Sequence, residues 1–143
     1  MNNDLHDFEE FMKRRDEASR AFVNGHLAPF DSIATRVAPA TFFGPRGGYR
    51  NGLDEVSSGY ESDAASFEPP GGESSFEILQ MAASDGIAYW VGFQRATFRL
   101  HGSAEAVSTT LRATEIFRRE DDEWKIIHRH VDTLASESEV NKK

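Results

Sequence analysis
At 143 residues the chain has the length of one folded domain, and 38% hydrophobic content with 11 Phe can supply a substantial core. The net charge of −8 argues against nucleic acid and anionic membrane surfaces as partners. The absence of cysteine excludes a disulfide framework, a thiolate nucleophile and a thiolate metal site.

No basic segment followed by an apolar run marks a secretion signal, and no apolar stretch approaches the ~20 residues of a membrane span. The expectation is a soluble, cytoplasmic protein. Asn3 or Asp4 can cap a first helix that continues to about Asn24, with Gly25 where helices commonly end. Its stripe is Leu5, Phe8, Met12, Arg15, Ser19 and Phe22, which places two polar residues in the middle of the face to be buried. Arg15 either snorkels along the edge of that stripe or borders a wet pocket that wants a cation.

A short helix is expected over His26 to Thr35, with Pro29 near its first turn, and a short strand around Ala40 to Phe43. Arg46 to Arg50 reads as a flexible loop without the lysine, serine and spacing of a phosphate-binding loop. Asn51 is placed to cap a helix running to about Phe67, whose stripe includes Val56 and Tyr60. Strands follow over Ser74 to Ala83 and Ile87 to Leu100. The second has Tyr89, Val91, Phe93 and Arg95 on one face and Trp90, Gly92 and Gln94 on the other.

The last third is the most informative. Val107 to Phe117 is rich in β-branched, aromatic and threonine residues, Glu120 to Glu123 suits a hairpin turn, and Trp124 to Val131 alternates sharply. Simple alternation puts Trp124, Ile126, His128, His130 and Asp132 on one face, with Ile127, Arg129 and Val131 on the other. Glu115, in mid-strand, must be paired or carry a raised pKa if it is buried. Its candidate partners are Arg95, Arg129 and Arg112, and a structural salt bridge and a pocket acid or base both remain open. His128 and His130 are candidates for hydrogen bonding across strands, for a subunit interface or for acid–base work. A metal is not expected there, since no third histidine is close and Asp132 lies near the chain end.

The run Arg112-x-Thr114, Arg118-Arg119 and Trp124-Lys125-Ile126-Ile127-His128-x-His130 resembles the C-terminal hairpin of the nuclear transport factor 2-like superfamily. It is similar to SnoaL-like domains and to the association (hub) domain of calcium/calmodulin-dependent kinase II. The resemblance implies an α+β fold: a cone-like, strongly curved mixed/antiparallel sheet wrapped around N-terminal helices, with residues 1–133 as one SnoaL-like domain and 134–143 as a polar, disordered tail. It also implies that Val91, Glu115 and Val131 stand where the hub has cavity arginines, so that the hub's anion pocket is not carried over. On the same alignment the Glu115 face, with Tyr89 and Phe93, lines the cavity and the two histidines point away from it. A single bulge would reverse such a face assignment.

Two functional readings follow. In one, a cofactor-independent enzyme of isomerase, cyclase or dehydratase type binds a small apolar or carbonyl-containing substrate. Glu115, Arg95 and Arg15 then carry the proton chemistry, and Tyr89, Phe93, Tyr60, Phe42 and Arg129 line the site. In the other, the chain is a non-catalytic ligand-binding or association domain. Under either reading a homodimer is expected through the outer sheet face, assigned to Trp90, Gln94, Thr114, Ile116, Ile126, His128 and His130.

Overall fold
The computed structural model describes residues 3–136. Helix α1 spans Asp4–Phe22, α2 Ala28–Asp31 and α3 Leu53–Ala65; the strands are β1 Thr41–Phe43, β2 Tyr49–Asn51, β3 Glu73–Ser84, β4 Ile87–Phe98, β5 Val107–Glu120 and β6 Glu123–Thr133. They form one open six-stranded sheet in the order β2-β1-β6-β5-β4-β3, antiparallel except where β1 runs parallel to β6. This is the expected α+β architecture of N-terminal helices on a curved sheet. The tail expected over 134–143 lies mostly outside the described residues. Among those described, no helix is long and apolar enough to cross a membrane.

Local chemistry accounts for the element ends. Asn3 holds the N-cap position of α1 without a capping side-chain bond. Asp4 instead accepts from the Gly86 backbone N–H and from Arg119, which pins the helix start to the β4 and β5 strand ends. The α3 cap position is Gly52, with φ +99, rather than Asn51. Asn51 closes strand β2, formed where a loop over Arg46 to Arg50 was expected. The β5–β6 hairpin turns on Asp121 and Asp122, with φ 49 and φ 67, the paired left-handed geometry that suits a two-residue turn between twisted strands.

Helices α1, α2 and α3 all pack on one face of the sheet. Phe8 and Phe11 of α1 meet Phe117 at 5.0 and 5.4 Å, Phe8 meets Trp124 at 5.5 Å, and Phe30, Tyr60 and Phe42 continue the layer towards β1. The other face has no helix over it among the described residues.

Register decides which residues share a face, since directly opposed residues on neighbouring strands point the same way. Glu115 pairs with Trp90, so Trp90 and Gln94 face the helices, while Tyr89, Phe93 and Arg95 face outward. This reverses the expected assignment of β4. On β6 the register shifts between Ile116 and Phe117, leaving Ile127 as an extra residue. Trp124 and Ile126 before the bulge, and Arg129 and Val131 after it, therefore all point inward, and His128 and His130 point outward. Trp90, Gln94 and Ile126 are thus interior residues rather than members of an outer interface.

A second bulge lies between Ile78 and Gln80 of β3, opposite Gly92. A Cβ on Gly92 would stand 2.0 Å from the Glu77 carbonyl oxygen. Gly92→Ala is therefore expected to lower stability by about 1–3 kcal/mol through overpacking, measured by urea denaturation. A variant as stable as the parent would show that the bulge relaxes freely.

Candidate functional site
The densest buried polar cluster lies between α1 and the middle of the sheet. Arg15, three turns into α1, donates from Nε to Glu115 Oε1 at 2.8 Å and from Nη2 to Oε2 at 2.7 Å. Trp90 Nε1 donates to Oε1 at 2.9 Å, and Arg129 Nη1 donates to Oε2. Arg129 Nη2 reaches Gln94 Oε1 at 2.5 Å. The Gln94 amide in turn donates to Ser19 and Ser74, both at 3.1 Å, and these two hydroxyls hydrogen-bond each other. Four strands and the first helix are thereby tied through one connected set of side chains. The Arg15 guanidinium also lies over the rings of Phe30 and Phe76, at 5.1 and 5.0 Å.

Glu115 is 0% exposed, Arg15 3% and Arg129 11%. Desolvation alone would raise the Glu115 pKa, but Arg15, and after it Arg129, outweigh it and hold the carboxyl at about 2. For Arg15 burial likewise opposes the charge, and Glu115 overcomes it to raise the pKa. With two donors on each oxygen, the carboxylate is coordinatively full, and a group held ionised this far down is a poor proton acceptor near neutral pH. The cluster sets two guanidiniums against one carboxylate.

The expected site residues fall into three places. Glu115, Arg15 and Arg129 come together as the buried ion-pair cluster, so Arg15 neither snorkels nor meets solvent. Tyr60 and Phe42 pack ring to ring at 5.5 Å nearby, and Arg50 covers Phe42 while its guanidinium bonds Asp63. Tyr89, Phe93 and Arg95 lie on the opposite face, where Tyr89 donates to Gln80 at 2.8 Å and Arg95 pairs with Glu77 at 2.7 Å. The expectation that they join Glu115 is therefore corrected by the register. Sequence reasoning did not place Trp90, Gln94, Ser19 and Ser74 in the cluster. The available signal was Ser19, one helical turn after Arg15 on the same stripe.

The histidines occupy the outer face of β6. His128 Nδ1 and Thr41 Oγ1 are 2.6 Å apart, and the Phe43 ring meets His128 and His130 edge-on at 4.9 and 5.5 Å. Burial, and then His130, lower the His128 pKa. Asp132 accepts two bonds from Arg112, at 2.5 and 2.7 Å.

A cavity of ≈ 150 Å³ lies between α2, α3 and β6, lined by Phe30, Val56, Tyr60 and Ile126 among others, but not by Glu115, Arg15 or Arg129. The helix-on-sheet fold is that of a known class. The sequence matches the SnoaL-like domain family over residues 13–135, and the chain belongs to that family.

Among solved structures it is similar to a candidate dehydratase of the NTF2-like family from Streptomyces avermitilis, with 18% identity, TM-score 0.74, and 92% of this chain and 98% of that one covered. It is also similar to an uncharacterised cystatin-like protein from Caulobacter vibrioides, with 11% identity, TM-score 0.72, and coverage of 98% and 96%. The CaMKII hub homology domain from Chlamydamonas reinhardtii aligns with 18% identity, TM-score 0.62, and coverage of 89% and 98%. At these identities the likeness establishes the fold. No curated protein matches the sequence.

The Glu115 cluster predicts both a stability loss and a pH dependence. Glu115→Gln leaves two buried guanidiniums without a counter-charge and is expected to cost about 3–5 kcal/mol in urea denaturation at neutral pH. Because the folded pKa lies below the unfolded one, the Glu115 contribution is complete above about 4.5 and is lost as pH falls from there towards about 2. The parent therefore loses stability across that window more steeply than Glu115→Gln. Parallel acid profiles for the two proteins would refute the assignment.

Proposed function
We propose that the chain is a non-catalytic, self-associating SnoaL-like domain that pairs with a second copy of itself through the helix-free face of its sheet. The observation that carries this reading is the makeup of that face. Tyr89, Val91, Phe93 and Ile116 form an apolar centre on the two middle long strands, and Phe43 of β1 and Tyr49 of the edge strand β2 lie on the same face beyond Thr114 and His130. All of these are half-buried or exposed in the single chain, and Tyr49 is 73% exposed. The Arg112–Asp132 pair gives the patch a polar border beside Phe93, and His130 stands within it between Thr114 and Phe43, a mix of apolar and polar groups that interfaces commonly carry. A second copy is the occupant because a two-fold axis through such a face sets like apolar centres together and lets Arg112 of one chain meet Asp132 of the other. Three of the similar structures are named as association domains of CaMKII type, from Thiobacillus denitrificans, Xanthomonas campestris and C. elegans.

The acid–base reading draws little support from the interior. Glu115, its leading proton carrier, is saturated by donors and held ionised, and Arg95 is on the far face. On this proposal the cluster serves to lock helix to sheet, leaving the outer surface free to evolve as a contact.

Sedimentation velocity tests the proposal. The parent is expected to sediment as a dimer across micromolar concentrations. Ile116→Asp is expected to weaken the dimer by about tenfold or more while leaving the circular dichroism spectrum unchanged. A parent that stays monomeric throughout, or an Ile116→Asp protein that dimerises as tightly as the parent, would overturn it.

A further inference from the structure
The outer face that carries the proposed contact also carries two groups of the kind that change charge near neutral pH. His128 and His130 both point outward from β6 and lie two residues apart, about 7 Å along the strand. The Phe43 ring meets both imidazoles edge-on, at 4.9 and 5.5 Å, and His128 Nδ1 shares a hydrogen bond with Thr41 Oγ1. His130 is exposed between Thr114 and Phe43, within the patch, and His128 is half-buried between Ile116 and Thr41.

The surroundings offer a proton on these rings little compensation. The residues opposed to them on β5 and β1 are uncharged, and Tyr49 and Asn51 of β2 lie beyond. Along β6 the charged groups on the same face are Lys125, paired with Glu123 at 3.3 Å, and Asp132. Arg112 grips Asp132 with two bonds and holds its carboxyl below the usual range. Behind the strand, Arg129 stands between the two histidines in the chain and is turned to Glu115. His128 also borders the cavity beside β6, whose rim includes Asp31, Arg36 and the exposed Asp54; Arg36 takes Asp31 at 2.6 Å. Neither imidazole pairs with a carboxylate among the described residues. Burial, and then His130, already make His128 harder to protonate in the single chain.

We propose that His128 and His130 make the pairing of two chains pH-dependent, the imidazoles being neutral in the dimer and their protonation separating the copies. The inference rests on the assembly reading and adds its regulation. A two-fold contact over this face buries the histidines of both copies together, so each added proton is desolvated and meets like charge across the axis. The dimer therefore binds fewer protons than two separate chains, and its affinity falls as pH drops below about 6.5. The Glu115 contribution is lost only below about 4.5, so the contact opens while the centre of the fold stays locked.

Sedimentation velocity of the full chain at about pH 7.5 and about pH 5.5 is the test, with circular dichroism to follow the fold. The dimer Kd is expected to rise at least about tenfold between the two conditions. In the double variant His128→Gln/His130→Gln the ratio of the two Kd values is expected to shrink to under about threefold, whatever its affinity at the higher pH. Should that variant no longer associate, the parent alone decides the matter: by proton NMR the His128 titration midpoint is expected to move down as rising protein concentration favours the dimer. A parent dimer equally tight at both pH values, a double variant with the parent's full ratio, or a midpoint independent of concentration would each overturn this inference and leave the assembly reading standing. A parent already monomeric at the higher pH would instead remove the assembly reading, and the inference with it.

Discussion
A carboxylate stripped of all water survives in a protein interior only if other charges and donors replace its hydration. At Glu115 that replacement comes from two guanidiniums and an indole, drawn from α1, β4 and β6, and this requirement fixes much of the fold around it. Arg15 must sit on the buried stripe of α1, so the helix cannot rotate or slide by a turn without stranding a charge. Arg129 must point inward, so β6 needs a bulge before it. The hydrophobic layer of Phe8, Phe11, Phe117 and Trp124 gives bulk stability but little register, since one apolar packing can replace another at modest cost. The ion pair supplies the register. Its energetic weight is asymmetric: the assembled cluster adds little over an apolar core of equal volume, whereas a broken one is severely destabilising.

The same logic explains which parts of the sequence could be read and which could not. Element order was legible because stripes and alternation are local, and the hairpin from Val107 to Val131 carried both its turn and its family resemblance. The short β2 was not, since Arg50 pairs with Asp63 and stacks on Phe42 only once α3 and β1 are in place. Face assignments failed where a single residue changed the count. Ile127 is apolar and β-branched and alternates with its neighbours like any strand residue, so nothing local marks it as a bulge. On β4 the two faces are both rich in aromatic and polar residues, and only the partner strand decides between Tyr89 and Trp90. Glu115 was singled out correctly as a buried charge. That Arg15, a hundred residues away, would meet it required the tertiary fold.

These errors of face change the functional reading more than they change the fold. With Tyr89 and Phe93 inside, Glu115 would have an aromatic pocket and a reason to act as a base. With Trp90 and Gln94 inside, it has a hydrogen-bonded cage, and the aromatic residues become surface. A one-residue slip in a strand thus converts an apparent active site into a structural lock and an apparent core into an exposed patch.

On the proposed reading, the interior of this SnoaL-like domain serves packing and register rather than chemistry. Its concave centre is occupied by the Arg15–Glu115–Arg129 cluster and the side chains hydrogen-bonded to it. What remains free lies at the margins: the outer face of four long strands, and the gap beside β6 where the chain departs between Thr35 and Thr41. Both are places where backbone pairing is complete or interrupted without reference to the buried cluster, so substitutions there need not disturb it. A fold locked at its centre by ion pairs can change its surface contacts and side cavities while keeping its architecture, and function in such a domain is best sought at sites that the lock does not occupy.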